Sequence, residues 1–400
     1  MSDQAIQHAY PLPGKLVPVP NLSHGDLLTG NLLVQGDNLP VLQLLAERHA
    51  GQVQCIYIDP PYNTGNAFSH YADQFSHQAW QDMMRPRLRA MRDLMRDSGI
   101  FFCSIGDDEM AYLKILCDEV FGRQNFIGNL IWEKKKKPSF LAHLGTVTEY
   151  VLVYARDRAQ ADPLYYGTTT ANKNYPLNNA GNGVRTLCFP AGAVEFGLPD
   201  QAVKPQDMSG GKVITRLLDR VEIVNGRNRA AFRLVGEWRY SQRKLDAVAA
   251  AGERIRISRN PFRPNHVRVG RRPKKMKNLL SVSHYGMSTY EDATLESRVL
   301  FGAQAAFAYP KPEQLIRTLI ESATQPGDWV LDAFLGSGTT AAVAHKCGRR
   351  WIGIETGSHA ESLCVPRMQQ VCEGRDGLPL SAALNWQGGG GYTFLRYLAG

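Results

Sequence analysis

Apolar positions along this chain follow two periods. Val53 to Ile58 is a short run rich in β-branched and aromatic residues, stopped by Pro60 and Pro61, the pattern of a strand buried in a parallel sheet. Ile100 to Ile105 and Tyr150 to Tyr154 read the same way. Between the first two, Trp80, Met84, Leu88, Met91 and Met95 recur at spacings of three and four, predicting a helix, kinked at Pro86, whose stripe faces the core. Late in the chain the alternation resumes. A helix is expected through Leu315, Ile316, Leu319 and Ile320, a strand from Trp329 to Phe334, a helix from Thr339, and a strand from Trp351 to Ile354. Strand and helix alternating on both sides of an interruption predict an α/β, doubly wound sheet.

The interruption is the stretch from 156 to 290, where periodicity is weak and Asn and Gly are frequent, so an inserted module is expected. The pattern divides the chain into an opening arm (1–30), a first strand-and-helix half (31–159), a polar, irregular middle (160–290), a second half (291–375) and a glycine-rich tail (376–400).

Composition narrows the class. With 44% hydrophobic and 21% charged residues the chain is neither disordered nor collagenous. No apolar run approaches the roughly 18 residues of a bilayer span, and Met1 to Pro20 lacks the charged and apolar regions of a leader, so a soluble, cytoplasmic protein with no membrane partner is expected. Seven cysteines with no CxxC pair predict neither a disulfide framework nor a zinc site, and no histidine has metal-ligand spacing.

Charge changes the picture further. Lys and Arg exceed Asp and Glu by 46 − 37 = 9. Ten basic residues, Arg254, Arg256, Arg259, Arg263, Arg268, Arg271, Arg272, Lys274, Lys275 and Lys277, stand in one segment without an acid. A solvated loop explains such a run, but the interleaved Pro261, Phe262, Pro264 and His266 make it less like a tail, and the charge excess favours a polyanionic partner. A shorter run, Lys134 to Lys137, follows a strand-like stretch.

Two motifs carry candidate chemistry. The first, Asp332-Ala-Phe334-Leu-Gly336-Ser-Gly338-Thr339-Thr340, places a glycine turn between a strand and a helix, where backbone N–H groups can meet a ligand. Glu355 ends the next expected strand, the position from which an acid accepts both hydroxyls of a ribose. A nucleoside-containing cofactor is therefore expected, and the missing GKS or GKT excludes a P-loop. The second, Asp59-Pro60-Pro61-Tyr62, closes the strand Val53 to Ile58. An aspartate and the following prolyl carbonyl can accept both N–H bonds of an exocyclic amine on a planar base, freeing the nitrogen lone pair, while Tyr62 offers a stacking face. Asp107, Asp108 and Glu109 stand where they could line the same site or cap a helix.

These motifs resemble the β class of DNA amino-methyltransferases, in which the catalytic motif precedes the cofactor motif and a target-recognition region lies between them. Tyr57 to Gly65 and Gly388 to Phe394 resemble the modification subunits of type III restriction systems. The resemblance implies a Rossmann-like, circularly permuted S-adenosylmethionine-dependent sheet, with 31–159 as its catalytic half and 291–375 as its cofactor half. It implies S-adenosylmethionine as cofactor and double-stranded DNA as partner, with a restriction subunit and a second copy of the chain as further candidates, and it makes the run Arg254 to Lys277 the DNA-facing side of the recognition module, with Arg263 and Arg268 as candidate base readers. By position it gives Asp37 a place near the cofactor's adenine, and it makes Phe307 to Pro312, with Lys311, the cover of its methionine end. The family usually has Pro and Ala where this chain has Ala333 and Leu335, and its type III members are generally much longer. The function expected is methylation of adenine N6 after base flipping. N4-cytosine methylation is the alternative enzyme reading, and a DNA-binding protein with a degenerate cofactor fold the alternative without catalysis.

Overall fold

The computed structural model describes residues 14–65, 73–138, 143–302 and 309–400. The chain forms two compact units, one of Met1–Tyr166 with Lys275–Gly400 and one of Gly167–Lys274.

The main strands of the first unit are β1 (Lys15–Pro18), β2 (Leu32–Gln35), β3 (Val53–Ile58), β4 (Met95–Ile105), β5 (Phe126–Glu133), β6 (Thr148–Ala155), β7 (Leu279–Leu280), β8 (Trp329–Asp332), β9 (Arg350–Glu355) and β10 (Gly391–Leu398). They lie in the order β1-β10-β2-β9-β8-β3-β4-β6-β5-β7. From β10 to β4 every neighbour is parallel. Successive side chains of a strand face opposite ways, and here both faces are covered. Helices α1 (Asn38–His49), α2 (His77–Leu94) and α3 (Asp107–Phe121) pack with Ile56, Ile58, Phe101 and Leu331 on one side. On the other, α4 (Tyr290–Phe301), α5 (Glu313–Ala323), α6 (Thr339–Lys346) and α7 (Val365–Cys372) surround Cys55, Tyr57, Phe102 and Val330. The expected stripe is core: Trp80, Met84, Leu88 and Met91 are buried on α2, which continues through Pro86 to Leu94.

Three expectations need correction. Tyr150 to Tyr154 reads as a parallel strand, yet β6 pairs antiparallel with both β4 and β5, because an apolar run reports burial on two faces and not direction. The strand from Trp329 stops at Asp332, whose carboxylate accepts the Phe334 N–H at 2.9 Å and turns the chain out of the sheet. The glycine-rich tail is not a tail: β10 lies between β1 and β2 with Tyr392 and Phe394 buried. At the start of β10, Gly391 lets the His24–Asp26 segment approach closely, since a Cβ there would lie 2.3 Å from the Asp26 nitrogen and 2.4 Å from the His24 oxygen.

The second unit has its own core, including Phe189, Phe232, Leu234, Trp238, Ile255 and Phe262. Its sheets contain Val184–Phe189, Phe232–Glu237, Arg254–Ile257 and Asn265–Arg268, with one helix, Gln242–Ala250. Where the sequence reads as irregular, the structure has strands of two to six residues, too short for a period of two to stand out. Residues 160–166 and 275–290 belong to the first unit, in which Leu279–Leu280 pairs with β5.

Connectivity positions the site. The chain leaves β3 towards β4 on one side and β8 towards β9 on the other, while β3 and β8 are neighbours in register, Val330 beside Cys55. Their carboxyl ends therefore diverge around a crevice, the topological switch point at which open α/β sheets bind ligands.

Candidate active site

The motif at the end of β3 is fixed from behind. Trp80 Nε1 donates to the Pro61 carbonyl at 2.8 Å, tying the Pro-Pro turn to α2. Beyond Tyr62, buried Asp73 accepts from the Asn63 and Thr64 backbone N–H groups at 2.7 and 3.0 Å, and Asn63 Nδ2 donates to Glu109 at 2.8 Å. Glu109 thus braces the loop, and neither it, Asp107 nor Asp108 lines the cavity.

The glycine loop after β8 is held as closely. Asp332 accepts from Thr340 Oγ1 at 2.5 Å, and burial raises its carboxyl to about 7 against the pull of the Thr340 and Phe334 bonds. Gly336 and Gly338 adopt left-handed φ values of 56° and 82°, which glycine tolerates, and Gly338 leads into α6. Thr339 Oγ1 accepts from Arg367 Nη1 at 2.9 Å, and the same guanidinium donates to Glu313. Leu335, bulkier than the family's usual residue, packs its side chain against Gly353 of β9, where a Cβ would meet it at 2.6 Å. The bulk is thus taken up by a glycine in the neighbouring strand.

Glu355, expected to face a ribose, accepts from the Gly336 N–H at 2.7 Å, the Thr356 N–H at 2.8 Å and the Gly357 N–H at 3.1 Å, with His359 Nε2 at 3.1 Å. Burial pushes its carboxyl up, but His359 and these N–H groups hold it below the usual range. Asp37 caps α1 through the Leu39 N–H and pairs with Arg87 at 2.9 Å. Asn38 Nδ2 donates to the Ala333 carbonyl, joining the two loops.

Asp59, Pro60, Pro61, Tyr62, Asp37, Asp332, Phe334, Gly336, Thr339, Glu355 and Lys311 line one cavity of about 530 Å³. Gly338 is not among the lining residues. Lys311 does not sit apart from the Asp59 motif: its ammonium contacts both Asp59 carboxylate oxygens at 2.7 Å. Burial raises the Asp59 carboxyl above its usual range, with Lys311 opposing the shift. Phe307 and Ala308, expected beside Lys311, lie outside the described residues.

Among the cavity residues that the sequence reading did not place at a site are Glu149, Tyr290 and His359, and Lys134, which it noted only as part of a basic run. Glu149 is 5% exposed and accepts from Tyr62 Oη at 3.1 Å, Tyr290 Oη at 2.9 Å and Lys134 Nζ at 3.0 Å. One signal was present, an acid at the head of the apolar run Tyr150 to Tyr154.

The ten basic residues, of which those from Arg254 to Lys274 lie in the second unit and Lys275 and Lys277 in the first, differ among themselves. Arg254 forms a two-bond pair with Glu195, Arg263 donates to the Met208 and Phe262 carbonyls, and Arg268 stacks over Tyr175 at 4.2 Å. Arg256, Arg259, Arg271, Arg272, Lys274, Lys275 and Lys277 are exposed.

Residues 53–365 match the family model described as DNA methylase. The chain belongs to the DNA methylase family. Among its relatives, the probable type III restriction-modification enzyme HindVI Mod subunit of Haemophilus influenzae is 31% identical over 91% of this chain and 53% of its own. The StyLTI Mod subunit of Salmonella typhimurium is 29% identical over 81% and 52%. The DNA adenine methyltransferase YhdJ of Escherichia coli is 23% identical over 84% and 82%. The chain spans about half the length of the two Mod subunits it matches. Among its described residues no helix is long and apolar enough to cross a membrane, and no cluster of His, Cys, Asp or Glu could hold a metal.

Proposed function

We propose that this chain methylates the exocyclic N6 of adenine in duplex DNA, with S-adenosylmethionine as the donor. The observation that carries the reading is the meeting of Asp59-Pro-Pro-Tyr62 and the Phe334 to Gly338 loop, from adjacent strands, in one cavity. The cavity suits the cofactor chemically: it combines a glycine loop opening a helix with the carboxylates of Asp37, Asp59, Asp332 and Glu355, a set suited to a nucleoside bearing a positive sulfonium. When bound, the cofactor supplies a methyl group on sulfur. Glu355 keeps Gly336 in place, and Phe334 and Asp37 would hold the nucleoside end.

Asp59 accepts an N–H of the target amine and thereby raises electron density on nitrogen as charge develops there. Tyr62 gives the base a face, and its hydroxyl bond to Glu149 sets the tilt of that face. An amine inside a duplex is out of reach, so the base has to be extruded into the cavity. Adenine is favoured over cytosine by the Asp-Pro-Pro-Tyr form of the motif and by the name of the YhdJ relative. The exposed cations of the second unit supply contacts to DNA phosphate. Kinship with Mod subunits supports a restriction subunit as a partner, tested by co-purification, and a cytoplasmic location.

The test is transfer of labelled methyl groups to unmethylated genomic DNA, followed by digestion to nucleosides and mass spectrometry. N6-methyladenine is the expected product. N4-methylcytosine would overturn the choice of base, and no transfer at all would overturn the activity.

A further inference from the structure

Lys311 occupies both groups that the reaction needs. Its ammonium bonds the two Asp59 oxygens at 2.7 Å and lies 5.0 Å from the centre of the Tyr62 ring, where the target base would stack. We propose that Lys311 is a placeholder for the target amine, and that Glu149 is the positioning residue that receives its ammonium when the amine takes its place on Asp59. The inference rests on the methyltransferase reading above.

The argument is one of charge. The Lys311 side chain is 6% exposed, so an ammonium displaced from Asp59 cannot escape into water. A buried charge stripped of its partner is strongly destabilising, so displacement requires a second anion within a short slide. Glu149 provides it, with an oxygen 3.9 Å from the same nitrogen. A shift of about 1 Å would bring the pair to the ~2.8 Å of a charge-assisted hydrogen bond.

The path is already bridged. Tyr290 Oη donates to Glu149 at 2.9 Å and accepts from Lys311 Nζ at 3.1 Å. The rings of Tyr62, Tyr290 and Trp132 lie 5.0, 5.3 and 5.9 Å from the ammonium and attract it along the way. Two residues before Lys311, Tyr309 holds a left-handed φ of 54°, which costs a non-glycine residue energy, so the segment is kept in a sparsely populated conformation.

The exchange also selects. Asp59 releases Lys311 only to a group that donates hydrogen bonds in return, as an exocyclic amine does and a carbonyl does not. Without Glu149 the lysine stays on Asp59 and the base competes poorly.

The test is a double-mutant cycle with the full chain: wild type, Glu149→Gln, Lys311→Met and the double variant. Steady-state methylation of unmethylated genomic DNA gives kcat and KM for DNA, and calorimetry gives the affinity for S-adenosylmethionine. Glu149→Gln should lower kcat/KM for DNA on the order of tenfold, mainly through KM, with cofactor affinity within twofold of wild type. Lys311→Met should lower the KM for DNA, because nothing then competes for Asp59. In the Lys311→Met background, Glu149→Gln should change kcat/KM less than twofold.

An equal loss in both backgrounds would show that Glu149 only braces Tyr62 and Lys134, and would overturn the inference. So would wild-type turnover by Glu149→Gln, or a loss beyond about 100-fold in Lys311→Met with cofactor binding intact. Should Glu149→Gln fail to fold, Tyr290→Phe removes the bridge instead and should show a smaller loss that likewise disappears with Lys311→Met. A wild-type chain that transfers no methyl group would defeat the methyltransferase reading itself. An active wild type with an additive cycle would defeat only the exchange.

Discussion

At the scale of single residues, the site is a set of carboxylates put to different uses by their surroundings. Asp59 faces the cavity and carries the proposed chemistry, so Asp59→Ala should lower methyl transfer on the order of 100-fold or more. Labelled transfer by the variant at the wild-type rate would refute the mechanism. Asp332 points into the loop instead, and its carboxyl is raised to about 7 by burial. The folded protein thus holds a proton that the unfolded chain gives up near pH 4, so this contribution to stability is full below about 4 and is lost as pH rises through about 7. Asp332→Asn removes the titration. The stability gap between wild type and Asp332→Asn, measured by thermal melts, should narrow in favour of the variant from acid to neutral pH, and a gap moving the other way would show the carboxyl to be ionised throughout.

Elements impose a second layer of constraint, because a loop that must meet a ligand can be no better placed than the strands that carry it. Leu335 anchors the glycine loop by packing into the space above Gly353, so Gly353→Ala should push the loop and weaken S-adenosylmethionine binding roughly tenfold, an effect of about 1.4 kcal/mol. Leu335→Ala in the same chain should recover much of that affinity. Calorimetry on the single and double variants decides it: an equal loss in both would mean that the contact does not position the loop. The same element logic explains β10, which lies between β1 and β2 with Tyr392 and Phe394 buried.

On the scale of the whole molecule, the excess of positive charge is concentrated on the second unit while the proposed chemistry is confined to the first. Arg263 and Arg268, the two base readers expected from the sequence, are engaged by Met208 and Tyr175 within the second unit, while Lys274 and Lys275, the expected phosphate contacts, are exposed together with Arg271, Arg272 and Lys277. Replacing Lys274 or Lys275 by Ala should reduce the log–log salt slope of DNA binding by about one unit each, for all sequences alike. Slopes equal to wild type in both variants would show these lysines to be a solvated face.

Much of this could be read from the chain alone, and the reason is local. Strands β3, β4, β8 and β9, helices α2, α5 and α6 and the two loop motifs are each written in contiguous residues, since burial on both faces gives unbroken apolar runs and a glycine turn needs its glycines side by side. What depends on residues far apart in sequence was hidden. No local pattern states that β6 runs antiparallel, that a glycine-rich segment enters the sheet between β1 and β2, or that Arg254 meets Glu195. Glu149, Tyr290 and Lys311 are separated by more than twenty residues from one another or from Asp59 and become a single charged cluster only when β3, β6, α4 and the strand order bring them together. The sequence determined which chemistry the chain can perform, because that rests on the kinds of residues in short motifs; only the tertiary structure decided which charge faces which, because electrostatic pairing depends on distance in space and not on separation along the chain.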